Sequence, residues 1–207
     1  YTFENVTPGI YKIDENLSSP PWFQSLPGPS GSFAYTSVQL DYGQHLEDYD
    51  FGNYTYGSIE GYKWDDLNGD GIWQEGSEPT LVGWTINLWQ DVGPDQYLFK
   101  GSVQTDGNGH YIFNDLMPGD NYYLSETEQG DYVRTHPVPD NSIGPVTVLS
   151  DATVDEGTDF GNFELIDITA CKVSDEDANS STSGDQSPIS GWTVYLLRDG
   201  EPYDMQT

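Results

Sequence analysis

The chain has 207 residues, of which 35 are acidic and only six are lysine or arginine, so its formal charge is −29. This balance excludes nucleic-acid binding through a basic surface and disfavours attraction to anionic membranes. The sequence has no run of about 18 apolar residues, so we expect no membrane insertion in this segment. It has neither an initiator methionine nor a signal-peptide pattern, and we expect an internal or processed piece.

The remaining composition favours a folded chain of strands and turns. Aromatic residues make up 14% of the sequence, which is high for a disordered acidic chain. The 23 glycines and 13 prolines suit turns rather than helices. Cys171 is the single cysteine, so the chain can form no internal disulfide.

Three segments of the sequence occur twice at a nearly constant distance. Residues 1–9 return as 111–119, residues 50–53 as 159–162, and residues 83–88 as 191–196. The offsets of 110, 109 and 108 residues indicate a repeating unit of about 109 residues. We therefore predict three domains: residues 1–53 are the C-terminal half of a preceding copy, 54–162 a complete copy, and 163–207 the N-terminal half of a following copy.

The half copies have two interpretations. Either a longer tandem array is interrupted, or the terminal halves of successive chains complete each other. Both predict that neither half can bury its own apolar face.

Short alternating patterns predict the strands of the complete copy. The first pattern places Ile59 and Lys63 on one face, and the second places Trp84, Ile86 and Leu88 together. The next two predicted strands flank the turn at residues 106–110, which is typical of a hairpin. Others are expected near residues 122–126, 146–149 and 158–163. About seven short strands without helical periodicity predict an all-β fold of tandem antiparallel β-sandwich domains.

The loop after the first strand of the complete copy has the spacing of a calcium loop. Its candidate ligands are the side chains of Asp66, Asn68, Asp70, Glu75 and Glu78 and the backbone carbonyl of Ile72. Alternate oxygen donors around a tight glycine turn at Gly71 are what Ca²⁺ requires, whereas Mg²⁺ prefers fewer carboxylates. The competing interpretation is a solvated acidic turn.

The following copy carries a weaker version of this loop. Its candidate ligands are Asp175, Asp177, Asn179 and Asp185. The turn glycine is replaced by Ser180, so a weakened calcium site and a merely polar loop both remain open.

The motifs together resemble SdrD B-like and Cna-B-type repeats, which are immunoglobulin-like modules of prokaryotic surface proteins. The resemblance rests on residues 61–71 (GYKWDDLNGDG), 78–79 (EP), 82–88 (VGWTINL), 116–126 (LMPGDNYYLSE) and 159–162 (DFGN). It implies a calcium-rigidified sandwich used as a stalk, spacer or filament building block, without enzyme activity. Ser77 is an extra residue before Glu78, which leaves the last ligand open between Glu75 and Glu78.

Lysine occurs only four times, and Lys63 falls on an apolar face. Glu126 and Asn162 also lie on apolar faces of their predicted strands, and a buried lysine needs such a partner. In the resembling Cna-B-type modules a lysine and an asparagine of this kind can form an isopeptide bond, with the acid moving protons. The alternative is an ordinary buried Lys–Glu pair. Glu15, Asn53 and Lys172 repeat the pattern in the half copies, so we expect Asn53 to point inward.

Other candidates are weaker. Asn5, Asn16 and Asn179 lie in glycosylation sequons, which are used only in an exported protein. Trp22, Trp73 and Trp89 could form a sugar-stacking surface. The sequence has no Ser-His-Asp order, phosphate loop or HExxH motif, so we predict no enzyme.

The sequence thus predicts a structural module of a prokaryotic cell surface that assembles with copies of itself, in tandem or end to end. Calcium is the expected cofactor, and we expect it to stiffen the junction with the preceding domain. The alternative function is an adhesive or carbohydrate-binding surface module.

Overall fold

The computed structural model describes residues 1–17, 21–27, 34–176 and 186–206. The chain divides into two compact units, Tyr1–Leu165 and Ile166–Thr207. The described residues form strands, turns and loops with no α-helix, which confirms the all-β prediction. Across these ranges, no helix has the length and apolar character needed to cross a membrane.

Four strands of the described residues precede the central sandwich. They are β1 (Gly9–Asp14), β2 (Phe23–Leu26), β3 (Ala34–Leu40) and β4 (Gly52–Tyr54). They form two separate antiparallel pairs, β1 with β3 and β2 with β4. We call residues 1–54 the leading segment.

Nine strands form the central sandwich. They are β5 (Gly57–Asp65), β6 (Thr85–Gly93), β7 (Gln96–Gln104), β8 (His110–Leu116), β9 (Asn121–Glu126), β10 (Tyr132–His136), β11 (Ile143–Thr147), β12 (Thr153–Val154) and β13 (Phe160–Glu164). One sheet has the order β11-β9-β6-β7. The other sheet has the order β10-β13-β5-β12, and β8 pairs with the opposite edge of β5.

The strand β5 is the centre of its sheet because it has partners on both edges. It pairs antiparallel with β8 and parallel with both β12 and β13. The start of β5 meets β12, where Ser58 pairs with Thr153, and its end meets β13, where Asp65 pairs with Asn162. The chain therefore enters the sandwich at one end of this sheet, the entry end, and leaves at the opposite exit end.

The predicted hairpin around residues 106–110 is wrong. The turn exists, since Asp106 N donates to His110 O at 2.8 Å. However, β7 pairs with β6 and β8 pairs with β5, so the turn carries the chain from one sheet to the other. The hairpin in this region joins β6 to β7, and the strand count is nine rather than about seven.

The core lies between the two sheets. Its buried members are Ile59, Ile86, Leu88, Tyr111, Phe113, Leu116, Tyr122, Leu124, Val148 and Phe160. The alternation predicted from the sequence is confirmed in β9, where Tyr122, Leu124 and Glu126 are buried and the residues between them are partly exposed. Burial of this apolar surface is the main stabilising contribution to the sandwich.

The second unit contains two further antiparallel pairs. Its strands are β14 (Val173–Asp175), β15 (Gln186–Pro188), β16 (Val194–Arg198) and β17 (Glu201–Gln206), and β14 pairs with β15 and β16 with β17. We call residues 166–206 the trailing segment.

We expect Gly161→Ala to destabilise the central sandwich by about 1–3 kcal/mol, the usual cost of overpacking. A Cβ at residue 161 would lie 2.3 Å from Cζ2 of the Trp64 indole, so the ring or the strand must move. Chemical denaturation monitored by tryptophan fluorescence measures this loss. The matched control is Gly107→Ala, where an added Cβ would meet no atom within 4 Å. Equal stability of the two variants would contradict the packing described for Trp64.

Candidate functional site

The acidic loop between β5 and β6 is organised by Asp66. Its side chain is fully buried, and its carboxylate accepts backbone N–H bonds from Gly69 at 2.7 Å, Asp70 at 3.2 Å and Gly71 at 2.7 Å. A carboxylate with three amide donors holds the loop in one conformation. Asp66 therefore shapes the loop before any ion is considered.

Gly71 is required at the turn for two reasons. Its φ of +74° favours glycine, and an added Cβ would lie 2.9 Å from the backbone oxygen of Thr135 in β10. The sequence identified this glycine from the spacing of the loop, and the structure adds the contact with β10.

The outer part of the loop gathers three oxygen-bearing side chains. Asp70 accepts a bond from Ile72 N at 2.8 Å, and the amide nitrogens of Asn68 and Gln74 donate to its carboxylate at 3.0–3.2 Å. The backbone amide of Ile72 is the main cause of a lowered pKa of Asp70, and the two side-chain amides add to it. The amide N–H groups thus lie where a cation would approach the carboxylate.

The side chain of Glu78, rather than that of Glu75, bonds to the backbone of the loop. Glu78 Oε1 accepts Leu67 N at 3.0 Å and Glu78 Oε2 accepts Gln74 N at 3.0 Å, so this carboxylate joins the two ends of the loop. Glu75 instead lines a shallow depression with Glu60, Asp155 and Asp159.

The donor set of the loop fits Ca²⁺ in chemistry, because carboxylate and amide oxygens dominate it. In the described ranges, no three His, Cys, Asp or Glu side chains converge closely enough to hold a metal ion. Binding would therefore require the Asn68 and Gln74 amides to turn their oxygens inward. Sequence reasoning missed Gln74, although it continues the spacing of every second residue from Asp66.

The loop lies at the exit end of the sandwich. Asp66 N donates to Asn162 O at 2.8 Å, and Asp65 N donates to Pro79 O at 2.8 Å. The expectation that the loop stiffens the junction with the preceding domain is therefore wrong, because the parallel pairing of β5 with β13 brings the end of β5 beside the chain's exit.

Of the candidate ligands in the weaker loop of the following copy, Asp175 lies within the described residues. Asp175 is the last residue of β14 and is exposed. Asp177, Asn179 and Asp185 lie outside the described residues.

A second cluster lies between the sheets, where Lys63, Glu126 and Asn162 are all buried. Lys63 Nζ lies 3.5 Å from Glu126 Oε2 and donates to Phe160 O at 3.3 Å. It also lies 4.5 Å from the ring centre of Trp84. The structure thus brings together the three residues that the sequence identified from three different strands.

The protonation of this cluster is set mainly by burial. Burial lowers the pKa of Lys63 to about 8, although the charge of Glu126 opposes this. Burial also raises the pKa of Glu126, and Lys63 and the Asn162 amide oppose that rise. Within the described structure, neither Glu126 oxygen nor Asn162 Oδ1 has a partner in good hydrogen-bond geometry. Both shifts favour the neutral forms of the pair.

Two of the three tryptophans proposed for sugar stacking, Trp73 and Trp89, have separate protein contacts. Trp73 stacks on Trp64 with ring centres 5.9 Å apart and also contacts Tyr62. Trp89 packs against Phe99 and donates to Ser125 Oγ at 3.2 Å. Trp22 is 40% exposed.

The central sandwich matches the SdrD B-like domain over residues 57–160, just over half of the chain. The chain belongs to the SdrD B-like domain family. Members of this family are domains of bacterial cell-surface proteins rather than enzymes. No curated protein matches the chain.

Solved structures that resemble this SdrD B-like chain include two pilins and a further bacterial protein. The shaft pilin SpaA of Lactobacillus rhamnosus GG is 13% identical with a TM-score of 0.36, covering 55% of this chain and 52% of that chain. The major pilin SpaD of Corynebacterium diphtheriae is 15% identical with a TM-score of 0.29, covering 54% and 32%. The Bacillus anthracis TIE protein is 13% identical with a TM-score of 0.41, covering 77% and 26%. The chain thus spans about half the length of SpaA.

We expect Asp66→Ala to cost about 2–4 kcal/mol of unfolding free energy even in a calcium chelator, because three backbone amides lose the buried carboxylate that accepts their hydrogen bonds. Asp70→Ala is the matched comparison, since Asp70 is exposed and its loss leaves its donors in water. Urea unfolding of both variants in EDTA measures the difference. A chelator-treated Asp66→Ala protein as stable as wild type would show that the loop does not depend on these bonds.

Proposed function

We propose that the chain is an extracellular structural module whose central sandwich is rigidified by calcium and which assembles with copies of itself. The observation that carries the proposal is loop 66–78, in which buried Asp66 and Glu78 hold the backbone while Asn68, Asp70 and Gln74 gather oxygen donors at the surface. Membership of a family of bacterial surface domains supports the extracellular setting.

Calcium would be held by Asp66, Asn68, Asp70 and Glu78, with the Ile72 carbonyl and Gln74 as further oxygen donors. When bound, the ion supplies positive charge at the point where a strongly acidic chain concentrates carboxylates. The loop contacts Asn162 in β13 and Thr135 in β10. Fixing the loop therefore stiffens the exit end of the sandwich.

The buried cluster supports a second stabilising device. We propose that neutral Lys63 attacks the side-chain carbonyl carbon of Asn162, with Glu126 moving the protons. A bond forms between Lys63 Nζ and Asn162 Cγ, the bond from Cγ to Nδ2 breaks, and ammonia leaves. The supporting observations are the burial of all three groups, the lowered pKa of Lys63 and the raised pKa of Glu126.

Surface glycans belong to the same proposal. Asn5 and Asn16 are exposed, so both asparagine side chains are accessible for attachment in an exported protein. Asn179 lies outside the described residues.

Calcium is expected to raise the melting temperature of the central sandwich. A ligand that binds only the folded state contributes about 2.7 kcal/mol at a free concentration of about 100 times its Kd. Differential scanning calorimetry in calcium and in EDTA measures the shift, which Asp70→Asn should reduce. Asp115→Asn is the control, because Asp115 is exposed and lies outside the loop. An identical melting temperature with and without calcium would exclude this role.

The covalent bond is tested by intact mass spectrometry of the denatured protein. The expected mass is lower than the sequence mass by one ammonia molecule. Glu126→Gln keeps the side-chain shape but removes the proton carrier, so it should show the full mass. Lys100→Met is the control, since Lys100 lies in the exposed strand β7 and should not affect the bond. A full mass for the wild-type chain would leave an ordinary buried Lys–Glu pair.

A further inference from the structure

The leading segment is joined to the central sandwich by a linker of two residues. β4 ends at Tyr54 and β5 begins at Gly57, so the linker consists of Thr55 and Tyr56. Two residues span at most about 7 Å. A change of orientation between the leading segment and the sandwich therefore has to occur at Thr55 and Tyr56 themselves, and their contacts decide whether it can.

The side chain of Tyr56 packs against the leading segment. Its ring centre lies 4.7 Å from that of Phe23 in β2 and 6.2 Å from that of Tyr54 in β4. Phe23 and Tyr54 lie opposite each other in the β2–β4 register, and their rings stack at 5.5 Å. These separations are those of attractive aromatic pairs. We call the three rings of Phe23, Tyr54 and Tyr56 the aromatic clasp.

Alternation along β4 determines which side chain enters the clasp. Tyr54 lies opposite Phe23, whereas Asn53 lies opposite Gln24 and therefore points to the other face of the pair. Asn53 is exposed, and its Nδ2 donates to Glu15 Oε2 at 2.9 Å. The sequence expectation that Asn53 points inward is therefore wrong, because the face of β4 that packs against aromatic rings carries Tyr54.

The backbone of the linker is held by the sandwich. Thr55 N donates to Ser150 Oγ at 2.9 Å, and Ser150 lies in the connection between β11 and β12. Gly57, the first residue after the linker, is buried against the same connection. A Cβ added there would lie 2.6 Å from the backbone oxygens of Leu149 and Ala152. The linker is thus fixed to the leading segment through Tyr56 and to the sandwich through Thr55.

The aromatic clasp and the acidic loop lie at opposite ends of β5. The clasp precedes Gly57 at the entry end, whereas loop 66–78 follows Asp65 at the exit end. A strand rises about 3.3 Å per residue, so the nine residues of β5 separate the two features by about 26 Å. An ion in the loop therefore makes no contact with the clasp.

We infer that the aromatic clasp fixes the orientation of the leading segment relative to the central sandwich and holds this junction rigid without calcium. Relative motion is the default for bodies joined by a small interface. Here, turning the linker would separate Tyr56 from Phe23 and expose more ring surface to water, which is unfavourable. The inference goes beyond the proposed function, since it requires neither calcium nor the Lys63 bond.

The test measures the distance between the two bodies in the full chain. Spin labels are attached at Thr36→Cys in β3 and Gln104→Cys in β7, both exposed positions, with Cys171→Ser as the background. Tyr35, beside the first label, contacts Phe51 just before β4 with ring centres 5.5 Å apart, so the label reports on the body that carries the clasp. Double electron–electron resonance should give one narrow distance distribution.

Two variants open the clasp from its two sides. Tyr56→Ala removes the linker ring and Phe23→Ala removes the ring on β2, and each should change the narrow distribution into a broad one. Tyr56→Phe keeps the ring and should keep the narrow distribution. Tyr42→Ala is the matched control, because Tyr42 is 94% exposed and lies outside the clasp. Near-ultraviolet circular dichroism and the melting temperature should show an unchanged central sandwich in every variant.

Repeating the wild-type measurement in calcium and in EDTA separates this inference from the proposed function. The distribution should be the same in both. A melting temperature that does not respond to calcium would count against the calcium proposal and leave the clasp intact. A broad wild-type distribution, a narrow one for both alanine variants of the clasp, or broadening of wild type by EDTA would overturn the inference.

Discussion

The burial of Lys63 is the constraint that governs how the two sheets of the central sandwich face each other. Lys63 belongs to one sheet. Its amine is surrounded by Glu126, which lies in β9 of the other sheet, and by Trp84, which lies directly before β6 of that sheet. A charge at this depth is expensive unless it is paired or lost. The register of β5 against β13 and the facing of the two sheets must both be correct for the amine to find its partners. The cluster therefore favours one arrangement of the two sheets over the others.

The same strand connects the core to the acidic loop of residues 66–78. β5 carries Lys63 inward and ends at Asp65, directly before Asp66 turns the chain into the loop. The hydrogen bonds of Asp65 and Asp66 then tie the loop to Pro79 and to Asn162. The loop is thus hydrogen-bonded to β13, which also carries the third member of the buried cluster. The acidic loop and the buried Lys63 cluster are both attached to β5 and β13. Both therefore lie at the exit end of the sandwich.

The inward faces of several strands and the position of the acidic loop could be predicted from the sequence, because short local patterns determine both. Alternation identified the inward faces of β5, β6 and β9, and two-residue spacing with a glycine identified the loop. The topology could not be predicted in this way. The turn at residues 106–110 has the chemistry of a hairpin, yet its flanking strands find better partners in different sheets. The choice between Glu75 and Glu78 likewise depended on which carboxylate faces the amides of Leu67 and Gln74. Gln74 was not predicted, although its amide stands at the same two-residue spacing as that of Asn68; only the fold of the loop brings it beside Asp70.

The parallel pairing of β5 with β13 has a mechanical consequence. The first strand and the last long strand of the sandwich lie side by side and point in the same direction. Tension applied to the two ends of this domain would therefore slide these strands past each other, loading their hydrogen bonds in shear. Bonds loaded in this way resist together, whereas a ladder pulled from one end opens one bond at a time. A covalent link between Lys63 on β5 and Asn162 on β13 would join these same two strands, which bear the applied force.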